Sequence, residues 1–497
     1  MPPPPIAPSF RQPSAPFRLA LLAGIVAGAL STAAAAFAAT WDHVHGDAAN
    51  SGFADVYTQP AVKPSATVTG LGVFAPGAGP VIGPDGTVYL GDEQGTLFAL
   101  HADGSVAWRQ HLGPGQTIQA SPVVDTDGSI YVVGEHDVAA PPGSPADAHI
   151  DSTLTHIAAS GAILWTVPFP EHFANIPEAT SGGTTRAAPN IWRSGSQAAI
   201  IVPAVYKVLG GGSQLYLLAF SPDGGPPLEQ SVTYQGQTIT GGSDLLGDIE
   251  CYVTLCFLPG FHPRQGPLPN PNDLLPTHLP ALLPAGVGIF TFAGGGLPWV
   301  IVNDPWQQTI GYTFSPSTGF REMFRTTDSA RSYAASPLLL PDGHSVTAAS
   351  DSDGSSFSDG HLVFTGPNGT ALPNAGPFSP LLDTPARTLD GRLVVTGQDG
   401  SVIFLSGSSA VATTHLPGQT IASPAVSRSH VFVSTASSLR TFDAQKMNEV
   451  AHFNWTGGGL SGPVIGPSGS VYVLAANVLH VFPGLPRQPC PGCRVPR

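Results

Sequence analysis

The sequence predicts an all-β protein, an eight-bladed β-propeller of four-stranded antiparallel blades closed by pairing of its N- and C-terminal ends. Three observations carry this reading. A unit of four short apolar runs separated by turn residues, best formed at 79–112 (GPVIGPDGTVYLGDEQGTLFALHADGSVAWRQHL), returns in degenerate copies along the chain. A small residue followed by proline opens most of these copies, at intervals close to one blade. The last copy lacks its outer strand, and a spare strand stands before the first.

Composition agrees with many short strands. Gly (59) and Pro (52) are both frequent while 42% of residues are apolar and only 10% charged, which fits tight turns between buried strands and not a disordered chain. The formal net charge of -14, with no basic cluster, argues against nucleic acid or an anionic membrane surface as partner.

Taken in order, residues 1–38 read as an export signal. Arg11 and Arg18 precede an uncharged apolar run, and Ala36-Phe37-Ala38 forms a small-residue cleavage pattern, so cleavage is expected after Ala38. The exported protein is then periplasmic or extracellular and not integral to a membrane. An uncleaved anchor helix is the alternative, since the run is just long enough to span a bilayer. An oxidising compartment makes two local disulfides the default, Cys251 with Cys256 and Cys490 with Cys493. The second pair has C-x-x-C spacing, but it sits in a Pro/Arg-rich tail at 486–497 and reads as a staple.

The lead-in at 39–66 contains Trp41, His43 and His45, then Gly46-Asp47 and Ser51-Gly52. Two imidazoles at alternate positions would share one face of a strand, a metal-like spacing. No third ligand is near, so a loop whose Trp41 packs on the propeller is expected. The propeller itself is expected over 67–485. Its first blade takes hairpin turns at Asp85-Gly86 and Asp103-Gly104, where Gly supplies positive φ and Asp can bond the turn backbone. The landmark recurs at Gly79-Pro80, Ser121-Pro122, Ala188-Pro189, Ser336-Pro337, Ser379-Pro380, Ser423-Pro424 and Gly462-Pro463. The long interval between Pro189 and Pro337 must hold two blades, the second beginning near Val287 without the proline. That makes eight. The final unit has three strands, and Thr67 to Pro76 is expected as its fourth, which removes an exposed sheet edge. Residues 243–285, rich in Leu and Pro, match no blade and are expected as a long loop on one face.

The repeat, Ser-Pro-apolar, then Asp-Gly-[Ser/Thr]-[Ile/Val]-Tyr, then A-L-x-A-x-G-x-x-x-W, resembles the PQQ-like repeat of quinoprotein alcohol dehydrogenase-like propellers. Its best copies are 85–89 with Gly104 and Trp108, and 127–131 with Gly161 and Trp165. The resemblance implies that Trp108 and Trp165 dock adjacent blades. It also brings an enzyme reading, PQQ-dependent oxidation of an alcohol or sugar, in which a planar quinone lies between a Trp and a vicinal disulfide beside Ca²⁺. This chain has no adjacent cysteines, and only 19 Lys and Arg in all to meet an anionic cofactor. No cofactor is therefore expected, and PQQ is disfavoured. Non-catalytic relatives of the repeat include a barrel-assembly lipoprotein that scaffolds partner proteins.

One loop spaces oxygens as calcium sites do: Asp351, Asp353 and Ser355, with Gly354 for the bend and Asp359 after it. The closing Glu is missing, and a polar hairpin turn explains the residues equally well. The expectation from sequence is thus an exported, monomeric propeller that binds or scaffolds a protein or glycan partner without catalysis, the quinoprotein dehydrogenase being the alternative.

Overall fold

The computed structural model describes residues 41–138, 149–170, 185, 187–208, 212–231, 286–292, 296–303, 308–327, 331–333, 335–352, 357–420 and 422–485. The leader, the four cysteines, the insertion at 243–285, Asp353 and Ser355 lie outside the described residues. Residues Ala38–Arg497 form one compact unit. No helix occurs among the described residues, so none is long and apolar enough to cross a membrane.

Eight antiparallel sheets account for the strands. The first blade shows the rule. Its innermost strand is Val81–Ile82, followed outward by Val88–Gly91, Thr96–Leu100 and Val106–His111. The middle strands are apolar and buried on both faces, because each blade is covered by a neighbour on either side. The outermost strand alternates, and its exposed positions face solvent.

The core is accordingly a set of layers between blades. One cluster joins Tyr89 and Leu97 of the first blade to Ile130 and Val132 of the second. Others join the second to the third through Tyr131 and Phe220, and the third to the fourth through Trp192 and Tyr312. Further clusters continue round the ring to one that joins the seventh, eighth and first blades. A lone blade would leave two apolar faces in water, which is why the unit had to be repeated.

The fold differs from the sequence expectation in two places. The strand that completes the last blade is Ala66–Val68, paired antiparallel with Val478–Phe482 in the register Ala66 to Val481 and Val68 to Leu479. It stops there, not at Pro76, because Gly70 and Gly72 take positive φ and turn the chain inward, where Leu71 and Phe74 are buried. The sixth blade opens at Thr384-Pro385, ahead of its innermost strand Ala386–Arg387, and not at Ser379-Pro380. Ser379-Pro380 gave the more even spacing but lies in the connection between blades. In the second and fifth blades the inner edge is interrupted: Gln116–Thr117 and Val123–Val124 pair separately with one strand, as do Arg331–Tyr333 and Leu338–Leu339. The landmark Pro122 and Pro337 sit in the gaps, where a residue without an N–H cannot continue a ladder.

Candidate functional site

The landmarks converge on the central channel. Their residues are small because neighbouring blades nearly touch there, and four of them carry a hydroxyl. Each hydroxyl accepts the backbone N–H of the preceding blade's landmark. Gly79 donates to Ser121 Oγ at 2.9 Å and Gly286 to Ser336 Oγ at 2.9 Å. Ser336 in turn donates to Thr384 Oγ1 at 3.0 Å, and Thr384 to Ser423 Oγ at 3.0 Å. The Ser of Ser-Pro is therefore an inter-blade acceptor for an N–H that the approach of the next blade has taken from water.

Inside this ring runs the lead-in segment. Its carbonyls accept from the innermost strands in order: Ile82 N–H to Trp41 (2.7 Å), Val124 to Asp42 (2.9 Å), Ile289 to Ala48 (2.7 Å) and Leu339 to Ala49 (2.8 Å). Arg387 N–H to Ser51 (3.0 Å) and Val426 N–H to Gly52 (2.7 Å) continue the series. At the third blade the Asn190 side chain donates to Ala48 O at 3.0 Å. Asn50, buried, donates to Val287 O and Pro337 O and so ties the fourth blade to the fifth. The segment can turn this tightly because Asp47 accepts from the N–H groups of Ala49 and Ser51 and from Ser51 Oγ. It can pass this close because residue 52 is glycine: a Cβ there would lie 2.5 Å from Ala386 Cβ. One short stretch, 41–54, thus touches seven blades. Trp41 packs on the propeller as expected, 2% exposed, but a surface loop does not describe the rest.

His43 and His45 do not converge. His43 Nδ1 faces Asp42, whereas His45 Nε2 lies 3.1 Å from Thr384 Oγ1. His45 lines a cavity of about 160 Å³ left between the lead-in segment and the starts of the fifth to eighth and first blades. Trp41, Val44, Leu382 and Val464 give it apolar walls, and Asp383 is the one carboxylate in its lining. Asp383 Oδ2 accepts from Thr396 Oγ1 at 3.2 Å. Both groups are half-buried and keep some open surface along the cavity. Burial pushes the Asp383 carboxyl up to about 6, against the pull of the Thr396 hydroxyl, and lowers the His45 imidazole to about 4. No lysine or arginine lines the cavity among the described residues. Arg387, three residues beyond Thr384, is directed elsewhere, its guanidinium 5.5 Å from the Phe53 ring centroid.

Sequence reasoning missed Asp383 because it misplaced the sixth landmark. The usable signal was Thr384-Pro385-Ala386 itself, which repeats the hydroxyl-Pro-small pattern of Ser423-Pro424-Ala425.

The tryptophans sit between blades. Trp108 Nε1 donates to Ala159 O of the second blade at 3.0 Å, and Trp165 Nε1 to Pro222 O of the third at 2.8 Å. Each ring lies against a positive-φ glycine of the next blade. A Cβ on Gly161 would stand 3.0 Å from Trp108, and one on Gly224 3.3 Å from Trp165. The Gly and the Trp of the repeat therefore serve different interfaces. Asp351 and Asp359 lie on the facing strands Ser345–Ser352 and Phe357–Thr365 of one hairpin, and Asp351 Oδ2 is 3.6 Å from His361 Nε2. Among the described residues no three potential ligands come together to hold a metal.

A quinone cofactor finds a poor match in this channel. Pockets for ligands of that size measure about 300–1,000 Å³, and the lead-in segment leaves about half the lower bound. Among the described lining residues Trp41 is the one aromatic, and none is a lysine or arginine that could meet carboxylates on the ring.

Residues 41–171, the lead-in segment and the first two blades, match the family PQQ_2, described as outer membrane protein assembly factor BamB. A search of curated proteins returns no match. Among solved structures, a europium-containing methanol dehydrogenase aligns at TM-score 0.56 with 12% identity, over 88% of this chain and 89% of that one. The Dos1 propeller aligns at 0.52 with 12% identity, over 84% and 94%. BamB from Moraxella catarrhalis aligns at 0.48 with 12% identity, over 84% and 99%. At such identities the first two alignments speak for the fold alone. The chain is an eight-bladed β-propeller, and its lead-in segment and first two blades are similar to the family PQQ_2.

Proposed function

We propose that this propeller is an exported binding or scaffolding module for a protein partner, without catalysis and without a resident quinone. The observation that supports this most is the channel. Residues 41–54 run along the innermost strands and hydrogen-bond to seven blades, leaving beside them a cavity of about 160 Å³ for a flat cofactor. The family match to an assembly factor supports the same reading by analogy, as does the absence of adjacent cysteines in the sequence. Export rests on the leader at 1–38. The calcium reading of Asp351, Asp353, Ser355 and Asp359 stays a separate proposal, tested by a calcium-dependent rise in melting temperature that Asp353→Ala abolishes.

The experiment for the main reading is quantitative capture. Tagged mature protein, cross-linked in cells that express it, should yield a partner in fixed stoichiometry, and a variant lacking 243–285 measures that insertion's share. A protein recovered alone at every cross-linking level would sink the reading.

A further inference from the structure

We propose that the channel cavity beside Asp383 is a binding site for a primary ammonium group, carried either by a free alkylamine or by a lysine side chain. In its second form this rests on the binding-module reading above and names what the partner presents.

The cavity has one carboxylate, one imidazole, one indole, hydroxyls and backbone, and no cation among its described lining. Three of the hydroxyls are already committed: those of Ser336, Thr384 and Ser423 each accept an inter-blade N–H. The carboxylate has one partner, the neutral Thr396 hydroxyl at 3.2 Å. Above about pH 6 this carboxylate is ionised, and a cation brought from outside would offset the cost of its partial burial. His45 does not supply that cation, because burial lowers the imidazole to about 4 and keeps it neutral near pH 7. An ammonium group does, and it offers three donors to the carboxylate and to the remaining lone pairs of the hydroxyls. The walls suit the carbon chain attached to the nitrogen: Val44, Leu382 and Val464 for methylenes, and Trp41, whose ring face attracts cations. The volume of about 160 Å³ accommodates a four-carbon amine.

Binding needs Asp383 ionised. His45 and Asp383 are the two titratable groups of the lining, and Arg387 turns toward Phe53. Affinity should therefore rise with pH through about 6 and level off above it, with His45 silent over that range.

Isothermal titration with n-butylammonium chloride, Nα-acetyl-lysine N-methylamide and the neutral n-butanol tests this. Both amines are expected to bind one per chain at pH 7.5, butanol at least tenfold more weakly, and amine affinity to fall about tenfold at pH 5.0. Asp383→Asn, which removes the charge and keeps the shape, should lose at least tenfold. Val44→Phe, which fills the cavity and leaves the carboxylate, should block binding in a protein whose circular dichroism is unchanged. Butylammonium without the blocked lysine assigns a free amine, and equal or tighter binding of the blocked lysine assigns a protein side chain. No heat from either amine at 10 mM, butanol binding as well as butylammonium, or undiminished binding by Asp383→Asn would overturn the proposal. Each of those results would leave partner capture untouched, so the two readings fail separately.

Discussion

At the scale of single residues, the channel holds two ionisable groups whose burial acts on stability in opposite senses. Asp383 titrates higher in the fold than in the open chain. Its ionisation therefore opposes folding, and stability falls as pH rises from about 4 to about 6. His45 titrates lower in the fold, so its contribution is intact above about 6.5 and is lost as pH falls toward about 4. The two slopes oppose each other. Relative to wild type, His45→Gln should lose less stability as pH drops from about 6 to about 4, and Asp383→Asn should lose more; denaturant midpoints of all three proteins across that range check both. The hydroxyl ring makes a separate prediction. Thr384→Val keeps shape but leaves the Ser336 N–H buried without an acceptor, which should cost about 1–3 kcal/mol in urea unfolding. Gly161→Ala should destabilise by more than about 1 kcal/mol, because φ is +91° and the new methyl meets the Trp108 ring. A midpoint unchanged from wild type would contradict the docking role drawn for that tryptophan.

At the scale of elements, the two ends of the chain close the ring by different means. Ala66–Val68 supplies the missing outer strand of the eighth blade, and Val68 stands where a docking tryptophan stands elsewhere, against Gly104. The lead-in segment then binds the inner rim. A protein begun at residue 59 retains every strand of every sheet but loses eleven backbone and side-chain amide bonds between the segment and the blades. At about 1 kcal/mol each that is on the order of 10 kcal/mol, seen as a lower melting temperature and faster amide exchange at Ile82, Leu339 and Val426. This contrast also marks what was legible in the sequence. Strands could be read because their alternation and turn glycines are local, and the missing fourth strand could be inferred because the repeat is a count. The lead-in segment could not: its bonds are made by carbonyls, which any residue carries, so Trp41 and the Asp47 turn hinted at structure without revealing its path. The sixth landmark was misread for a related reason, since Ser379-Pro380 and Thr384-Pro385 differ in their neighbours in space and hardly at all in pattern.

At the scale of the molecule, eight blades form a ring whose innermost strands are bonded by the chain's own lead-in segment, with an acidic cavity beside it. The candidate site was the part least open to sequence reasoning, because Asp383 and His45 lie 338 residues apart and meet only after the ring has closed. The reading against a quinoprotein is tested most directly by titrating the mature protein with PQQ in the presence of Ca²⁺, following tryptophan fluorescence, the quinone absorbance and the reduction of an artificial acceptor by alcohols and sugars. A cavity of about 160 Å³ should give no saturable spectral change and no turnover. Stoichiometric quinone binding with substrate-dependent reduction of the acceptor would contradict it.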